Sequence, residues 1–131
     1  MLLDTNACIQ LWQRRNLIVR RYFMQHSPAE IALCSVVKAE LMFGALRSEQ
    51  KDSNSQLLQN LFAPLYSFDF DDNAAEHYAQ IRSELTAHGK LIGANDLMIA
   101  AIARANKATL ITHNTGEFSR VQGLLIEDWE I

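Results

Sequence analysis

The sequence has few cysteines and no long hydrophobic run. Its two cysteines, Cys8 and Cys34, lie far apart and form no CxxC pair, which argues against a disulfide framework and indicates two reduced, partly buried thiols. No apolar stretch approaches the roughly 18–20 residues that a membrane-spanning helix needs. The first residues, MLLDTN, lack the basic and apolar regions of a signal peptide. We therefore expect a cytoplasmic protein with no membrane partner.

Several common functional motifs are also missing. The four histidines show neither HExxH nor paired zinc-ligand spacing, so a zinc site is poorly supported. The chain contains no GxGxxG and no Walker loop, which excludes the usual dinucleotide and nucleotide-phosphate fingerprints. It has no repeat with a period of roughly 20–50 residues and no low-complexity tract.

The composition that remains is that of an ordinary globular domain. The chain has 131 residues, of which 49% are hydrophobic and 21% charged, and this length suits a single domain spanning residues 1–131. The net charge of −3 argues mildly against a nucleic-acid-binding protein. However, the positions of the charges matter more than their sum, and a net charge of −3 is compatible with a locally basic surface.

Short apolar strands alternate with helices along the chain. The pattern predicts strands at 1–3, 31–34, 65–70, 110–112 and 124–126, helices at 6–12, 17–26, 36–48, 54–62, 71–88 and 96–106, and a helical turn at 115–119. Ser35 is the expected N-cap of the third helix, and residues 49–53 are the expected polar turn before the fourth. This order predicts an α/β protein, a Rossmann-like three-layer α/β/α sandwich with a mainly parallel central sheet.

Three acidic residues lie where such a fold collects functional groups, beyond the carboxyl ends of parallel strands. Asp4 follows the first strand, Glu40 lies about one turn into the helix after the second, and Asp96 lies in the first turn of a later helix. Carboxylates that lie close together repel one another, and a hard divalent cation such as Mg²⁺ or Mn²⁺ removes that cost. The pattern therefore predicts a metal site that activates water.

Each acid also has a purely structural interpretation. Asp4 is a good N-cap for the helix that follows it, and Asp96 is favoured by the helix dipole alone. The apolar run 97–103 nonetheless predicts a helix buried on nearly all sides, whose polar entry point is more consistent with a site. Glu40 is equally consistent with an exposed helix residue, although Gly44, one turn later, leaves room beside its carboxylate.

A second group of polar residues surrounds these acids in the sequence. Thr112 and Asn114 lie at the end of the fourth strand, and Glu117 is near enough to support a second metal ion or to orient water. Asn6, two residues after Asp4, is a further supporting candidate. These residues are equally consistent with ordinary loop and capping roles.

Five segments in the right order resemble a PIN-domain nuclease: MLLDTN, CSVVKAELMFG, LIGANDLMIAAIA, LITHNTGEF and GLLIEDW. The resemblance covers essentially the whole chain and is strongest to the VapC toxins of bacterial VapBC toxin–antitoxin pairs, particularly the branch that cuts initiator tRNA. It implies that Asp4, Glu40 and Asp96 correspond to the first three acids of the family. Where many relatives carry a fourth acid, this chain has Asn114, which puts a second metal site in doubt.

The same resemblance implies an activity and its partners. It implies Mg²⁺ as cofactor, with Mn²⁺ able to substitute, and cleavage of single-stranded RNA by activated water. It also implies a homodimer and a cognate VapB-like antitoxin that blocks the site with a C-terminal segment. A local basic rim would then hold the RNA. The candidates for this rim are Arg14, Arg15, Arg20, Arg21, Lys38, Arg47 and Arg82.

Two other functions compete with an RNA endonuclease. A Rossmann-like phosphatase often uses an aspartate after the first strand as its nucleophile, but the helping aspartate expected two residues later is Asn6 here. A catalytically silent PIN-like module that binds RNA or a protein partner is suggested by Asn114. Such a module would bind with or without Mg²⁺ and release no product.

Overall fold

The computed structural model describes residues 1–13 and 16–131. Five short strands form one sheet in the order β3-β2-β1-β4-β5. The strands are β1 (Leu2–Leu3), β2 (Ala32–Cys34), β3 (Tyr66–Phe68), β4 (Leu110–Ile111) and β5 (Ile126–Glu127). All four pairings between neighbouring strands are parallel. The predicted parallel sheet is confirmed.

Helices connect the strands and cover the sheet. They are α1 (Thr5–Trp12), α2 (Leu17–Met24), α3 (Ser35–Leu46), α4 (Lys51–Phe62), α5 (Asp72–Ala87), α6 (Ala94–Ala105) and α7 (Thr115–Phe118), and a 3₁₀ turn at Pro28–Glu30 precedes β2. The chain moves across the sheet in one direction from β1 to β3 and in the other direction to β4 and β5. Right-handed crossovers therefore place α1–α4 on one face and α5–α7 on the other. The contacts agree, since α3 packs on α1 and α4, and α5 packs on α6; α3 and α6 also contact each other, although they lie on opposite faces.

The core is built mainly of aliphatic side chains from the central strands and from α6. Leu2, Leu3 and Leu33 are completely buried, and so are all residues from Ile99 to Ala103. The prediction that this helix is buried on nearly all sides is confirmed. No helix within the described ranges is long and apolar enough to cross a membrane.

Several local predictions were wrong. Cys34, not Ser35, occupies the N-cap position of α3, and the Ser35 hydroxyl instead donates to Asp69 Oδ1 at 3.2 Å. Helix α4 begins at Lys51, so most of the predicted polar turn 49–53 is helical; Asp52 in its first turn suits the helix dipole. The third strand is shorter than predicted, and the fifth begins at Ile126 rather than at residue 124.

Candidate active site

Polar side chains lie beyond the carboxyl ends of β1 and β4. These strands are neighbours, but the chain leaves β1 towards one face of the sheet and β4 towards the other. Such a topological switch point opens a crevice, which is where open α/β sheets bind ligands. Asp4 follows β1 and Thr112 follows β4. Within the described ranges, they are the only polar or charged residues that are fully buried, at 5% and 1% exposed.

Asp4 has a structural role as well as an unusual environment. Its backbone is extended at the N-cap of α1, and its Oδ1 accepts a hydrogen bond from the Ala7 amide at 2.8 Å. Burial raises the pKa of Asp4 to about 6, although polar contact with Thr112 and the Ala7 hydrogen bond oppose the shift. The negative charge of Asp96 raises it further. Capping therefore describes what Asp4 does locally but does not explain why it is buried.

Glu40 reaches the same region from α3. Thr5, the first residue of α1, donates its hydroxyl to Glu40 Oε1 at 2.6 Å. Sequence reasoning missed Thr5, because 35 residues separate it from Glu40. Glu40 is half-buried, and α3 also packs against α6, the helix that carries Asp96.

Asp96 lies half-buried in the first turn of α6. Burial raises its pKa, and the negative charges of Glu117 and Glu40 raise it further. Asn114 donates its side-chain amide to Glu117 Oε2 at 3.1 Å, while its backbone amide donates to the Thr112 hydroxyl at 3.0 Å. The side-chain amide at position 114 thus binds one carboxylate oxygen of Glu117.

These carboxylates have no positive partner in the described part of the chain. Its two ion pairs both involve His113, so no lysine or arginine there pairs with Asp4, Glu40, Asp96 or Glu117. Acids whose charges raise the pKa of Asp4 and Asp96, with no lysine or arginine paired to them in the described ranges, fit a divalent metal ion. Carboxylate oxygens are the ligands that Mg²⁺ and Mn²⁺ prefer.

Comparison with known proteins identifies the family. The family described as "PIN domain" matches residues 1–124. This chain is a PIN domain. PIN nucleases generally use a divalent metal ion, in agreement with the charge balance of the crevice. The predicted family and the predicted α/β sandwich are both confirmed.

Several relatives match this PIN domain over nearly its whole length. It is 37% identical to "Ribonuclease VapC2" of Haemophilus influenzae and 37% identical to "tRNA(fMet)-specific endonuclease VapC" of Shigella flexneri, in both cases over 98% of this chain and 96% of the relative. It is also similar to the solved structure of DNA-bound VapBC from Salmonella typhimurium. That match has a TM-score of 0.92 and 34% identity, and covers 98% of this chain and 96% of the other.

A tighter group of side chains lies beside the crevice of this PIN domain. Among the residues described, His113, Asp128 and Glu130 form the one set of three possible metal ligands whose atoms lie within 4.8 Å of one another. His113 Nδ1 is 2.9 Å from Asp128 Oδ2, and this hydrogen bond raises the pKa of His113. The ion pair accounts for the short distances. The three predicted acids form no set this tight, so a metal ion would draw them together or bind partly through water.

The remaining predicted site residues are scattered. Arg14 and Arg15 lie outside the described residues. The Lys38 ammonium lies 5.1 Å from the centre of the Phe62 ring. Arg82 is exposed on α5, and Arg47 is exposed at the C-cap of α3. On α2, Arg21 is exposed and Arg20 is half-buried. Asn6 is exposed, and no hydrogen bond in the described ranges joins its side chain to the acids. An RNA-binding role for the basic residues stays a prediction.

Proposed function

We propose that this PIN domain is a cytoplasmic, Mg²⁺-dependent endoribonuclease and the toxin of a VapBC-like toxin–antitoxin pair, with residues 1–131 acting as one nuclease domain. Its proposed substrate is tRNA, and initiator tRNA in particular. The observation that carries the proposal is the buried Asp4 carboxylate, which lies near further acids and pairs with no cation in the described part of the chain. The names of the Haemophilus and Shigella relatives support the ribonuclease activity and the tRNA substrate.

In this proposal Asp4 and Asp96 hold Mg²⁺, directly or through water, and Mn²⁺ substitutes for it. When bound, the metal supplies positive charge at the scissile phosphate and lowers the pKa of water. The Ala7 amide and the Thr112 side chain keep the Asp4 carboxylate in one orientation. Such supporting contacts are needed because a ligand set works only in a fixed geometry.

Glu40 either completes the metal shell or positions the attacking water. The Thr5 hydroxyl holds one of its oxygens, Oε1, and within the described ranges no hydrogen bond engages the other. A carboxylate held this way is suited to accept a proton from the attacking water. Glu117, fixed by Asn114, is the proposed support for a second metal ion, since its charge already acts on Asp96.

The proposed partners follow from the solved relatives. The Salmonella typhimurium and Rickettsia felis structures are VapBC bound to DNA, and each covers 98% of this chain. We include in the proposal a cognate VapB-like antitoxin that blocks the crevice, and a homodimer of this chain.

The proposal is tested by incubating the purified protein with total tRNA in Mg²⁺ or in EDTA and mapping the ends of the products. We expect discrete cuts in Mg²⁺ and none in EDTA. Asp96→Asn should be inactive, whereas Asp72→Asn, which removes the matching first-turn acid of α5, should cut like the wild type. RNA that is bound equally in Mg²⁺ and EDTA but never cut would instead identify a silent RNA-binding module.

A further inference from the structure

A surface pocket of about 500 Å³ lies between the end of α5, the loop before α6, and α7. Its volume falls within the range of about 300–1,000 Å³ that is typical of ligand pockets. Lys90 and Arg120 line it together with Leu85, Gly116 and the single acid Glu84. None of the three predicted catalytic acids lines it, so it is a separate cavity.

The pocket nevertheless adjoins the catalytic crevice. Gly116 immediately precedes Glu117, the residue whose charge raises the pKa of Asp96. On the other side, Lys90 belongs to the loop that ends at Gly93, where an added Cβ would lie 4.0 Å from Asp96 Oδ2. Two segments that line the pocket therefore continue along the chain to the acids around Asp96.

The rim of the pocket carries two cations. Lys90 and Arg120 are exposed, and neither forms an ion pair with any residue in the described ranges. Arg120 Nη1 donates to the Lys90 carbonyl oxygen at 3.5 Å, which ties the segment after α7 to the loop before α6. Both residues line the same pocket, in a chain whose net charge is −3.

An acidic crevice needs cations nearby if its substrate is a polyanion. The carboxylates repel the phosphates of RNA, and a bound metal ion offsets that repulsion only where it sits. Affinity must then come from cations near the crevice, because phosphate contacts supply much of the binding free energy of nucleic acids. Lys38, also predicted for this role from sequence, lies 5.1 Å from the centre of the Phe62 ring, and its contact with RNA stays a prediction.

We propose that Lys90 and Arg120 form a phosphate-binding subsite for the RNA strand beside the scissile phosphate, with the pocket taking the adjoining nucleotide and Leu85 giving it an apolar wall. This inference rests on the proposed ribonuclease function and names two substrate-binding residues. Both cations contact the strand before and during the reaction. They therefore affect KM more than kcat.

The test measures tRNA cleavage rates for Lys90→Gln and Arg120→Gln over a range of substrate and salt concentrations. Each variant should raise KM about tenfold, as expected for a charged hydrogen bond, with little change in kcat. Each should also reduce the slope of log KM against log salt by about 1, the amount that one phosphate contact contributes. Lys107→Asn is the matched control, because Lys107 lies at the opposite end of the sheet, and asparagine tolerates its positive φ of 54°. It should behave like the wild type.

Failure of this inference is distinguishable from failure of the proposed function. If the wild type cuts tRNA while both variants keep its KM and its salt dependence, the subsite is overturned. If the wild type cuts no RNA, the proposed function fails, and anisotropy of fluorescein-labelled tRNA in EDTA then tests the subsite alone. Weaker binding by both variants supports it, and equal binding overturns it. Variants that keep their RNA affinity but lose antitoxin binding also overturn it, because the pocket then serves a protein.

Discussion

Two helices of this PIN domain begin with an aspartate in nearly the same local geometry. Asp4 precedes α1 and accepts a hydrogen bond from the Ala7 amide at 2.8 Å, and Asp71 precedes α5 and accepts one from the Ala74 amide at 2.9 Å. Both aspartates have an extended backbone. Their surroundings differ, because Asp71 is exposed whereas Asp4 is 5% exposed among other acids.

The difference in burial between the two aspartates shows which features an N-cap requires. The Asp71 cap forms in contact with water, so an N-cap does not need burial. Burial of Asp4 raises its pKa to about 6, which means that its charged form is held at a cost in free energy. A perturbed carboxylate in a crevice is characteristic of functional sites. We therefore attribute the burial of Asp4 to function.

The largest expected effect is on catalysis. Asp4→Asn keeps a good capping residue but removes the charge, so RNA cleavage in Mg²⁺ should fall by at least about 100-fold while the fold survives. Asp71→Asn makes the same chemical change at the exposed cap and should leave the rate unchanged. The rates are measured on tRNA, with thermal melting as the check on folding. Equal rates for Asp4→Asn and wild type would show that Asp4 caps α1 and has no role in catalysis.

The next effect is on stability without metal. Asp4 binds its proton more tightly in the folded protein, where its pKa is about 6, than at its ordinary value of 3.8. The free energy of unfolding should therefore fall as the pH rises between these two values and stay low above them, by up to about 3 kcal/mol. Asp4→Asn should remove this decrease in the free energy of unfolding with rising pH, and Asp71→Asn should retain it. Urea unfolding in EDTA at several pH values measures it, and identical curves for both variants would contradict the account.

A smaller effect is expected at the residue beside Asp4. Thr5→Val keeps the shape of the side chain but removes the hydroxyl that donates to Glu40, so cleavage should slow by about tenfold. Thr86→Val is the matched control, because Thr86 is exposed on α5. Steady-state rates on tRNA compare the two. An unaffected Thr5→Val would mean that Glu40 needs no positioning.

The smallest effect compares the two caps directly. Asp71→Ala should lower the free energy of unfolding by about 1 kcal/mol, the usual cost of losing an N-cap. Asp4→Ala loses the same hydrogen bond but also removes a buried charge. Its loss at pH 7 in EDTA should therefore be smaller, or reversed in sign. Equal losses in urea unfolding would indicate that the buried carboxylate carries no cost.

Features that depend on neighbouring residues were predictable from the sequence. A short apolar strand followed by Asp4 marks the carboxyl edge of a parallel sheet. The apolar run 97–103 likewise predicted a buried α6, with Asp96 at its entrance. Local hydrophobic period and capping chemistry determine both features, and the structure places them as expected.

Features that depend on strand order were not predictable in the same way. The crevice exists because β4 pairs with β1 on the side away from β2, and no local pattern encodes that choice. The pairing of β4 with β5 likewise brings His113 to Asp128, 15 residues away. The prediction of a turn at residues 49–53 was wrong because Lys51 and Asp52 suit the first turn of a helix as well as a loop.

The central claim is that the carboxylates around Asp4 bind a divalent metal ion. Isothermal titration calorimetry of Mg²⁺ into the metal-free protein tests this most directly, because it needs neither RNA nor antitoxin. We predict saturable binding to the wild type and to Asp71→Asn, and loss of that binding in Asp4→Asn. Equal Mg²⁺ binding by Asp4→Asn and the wild type would contradict the claim.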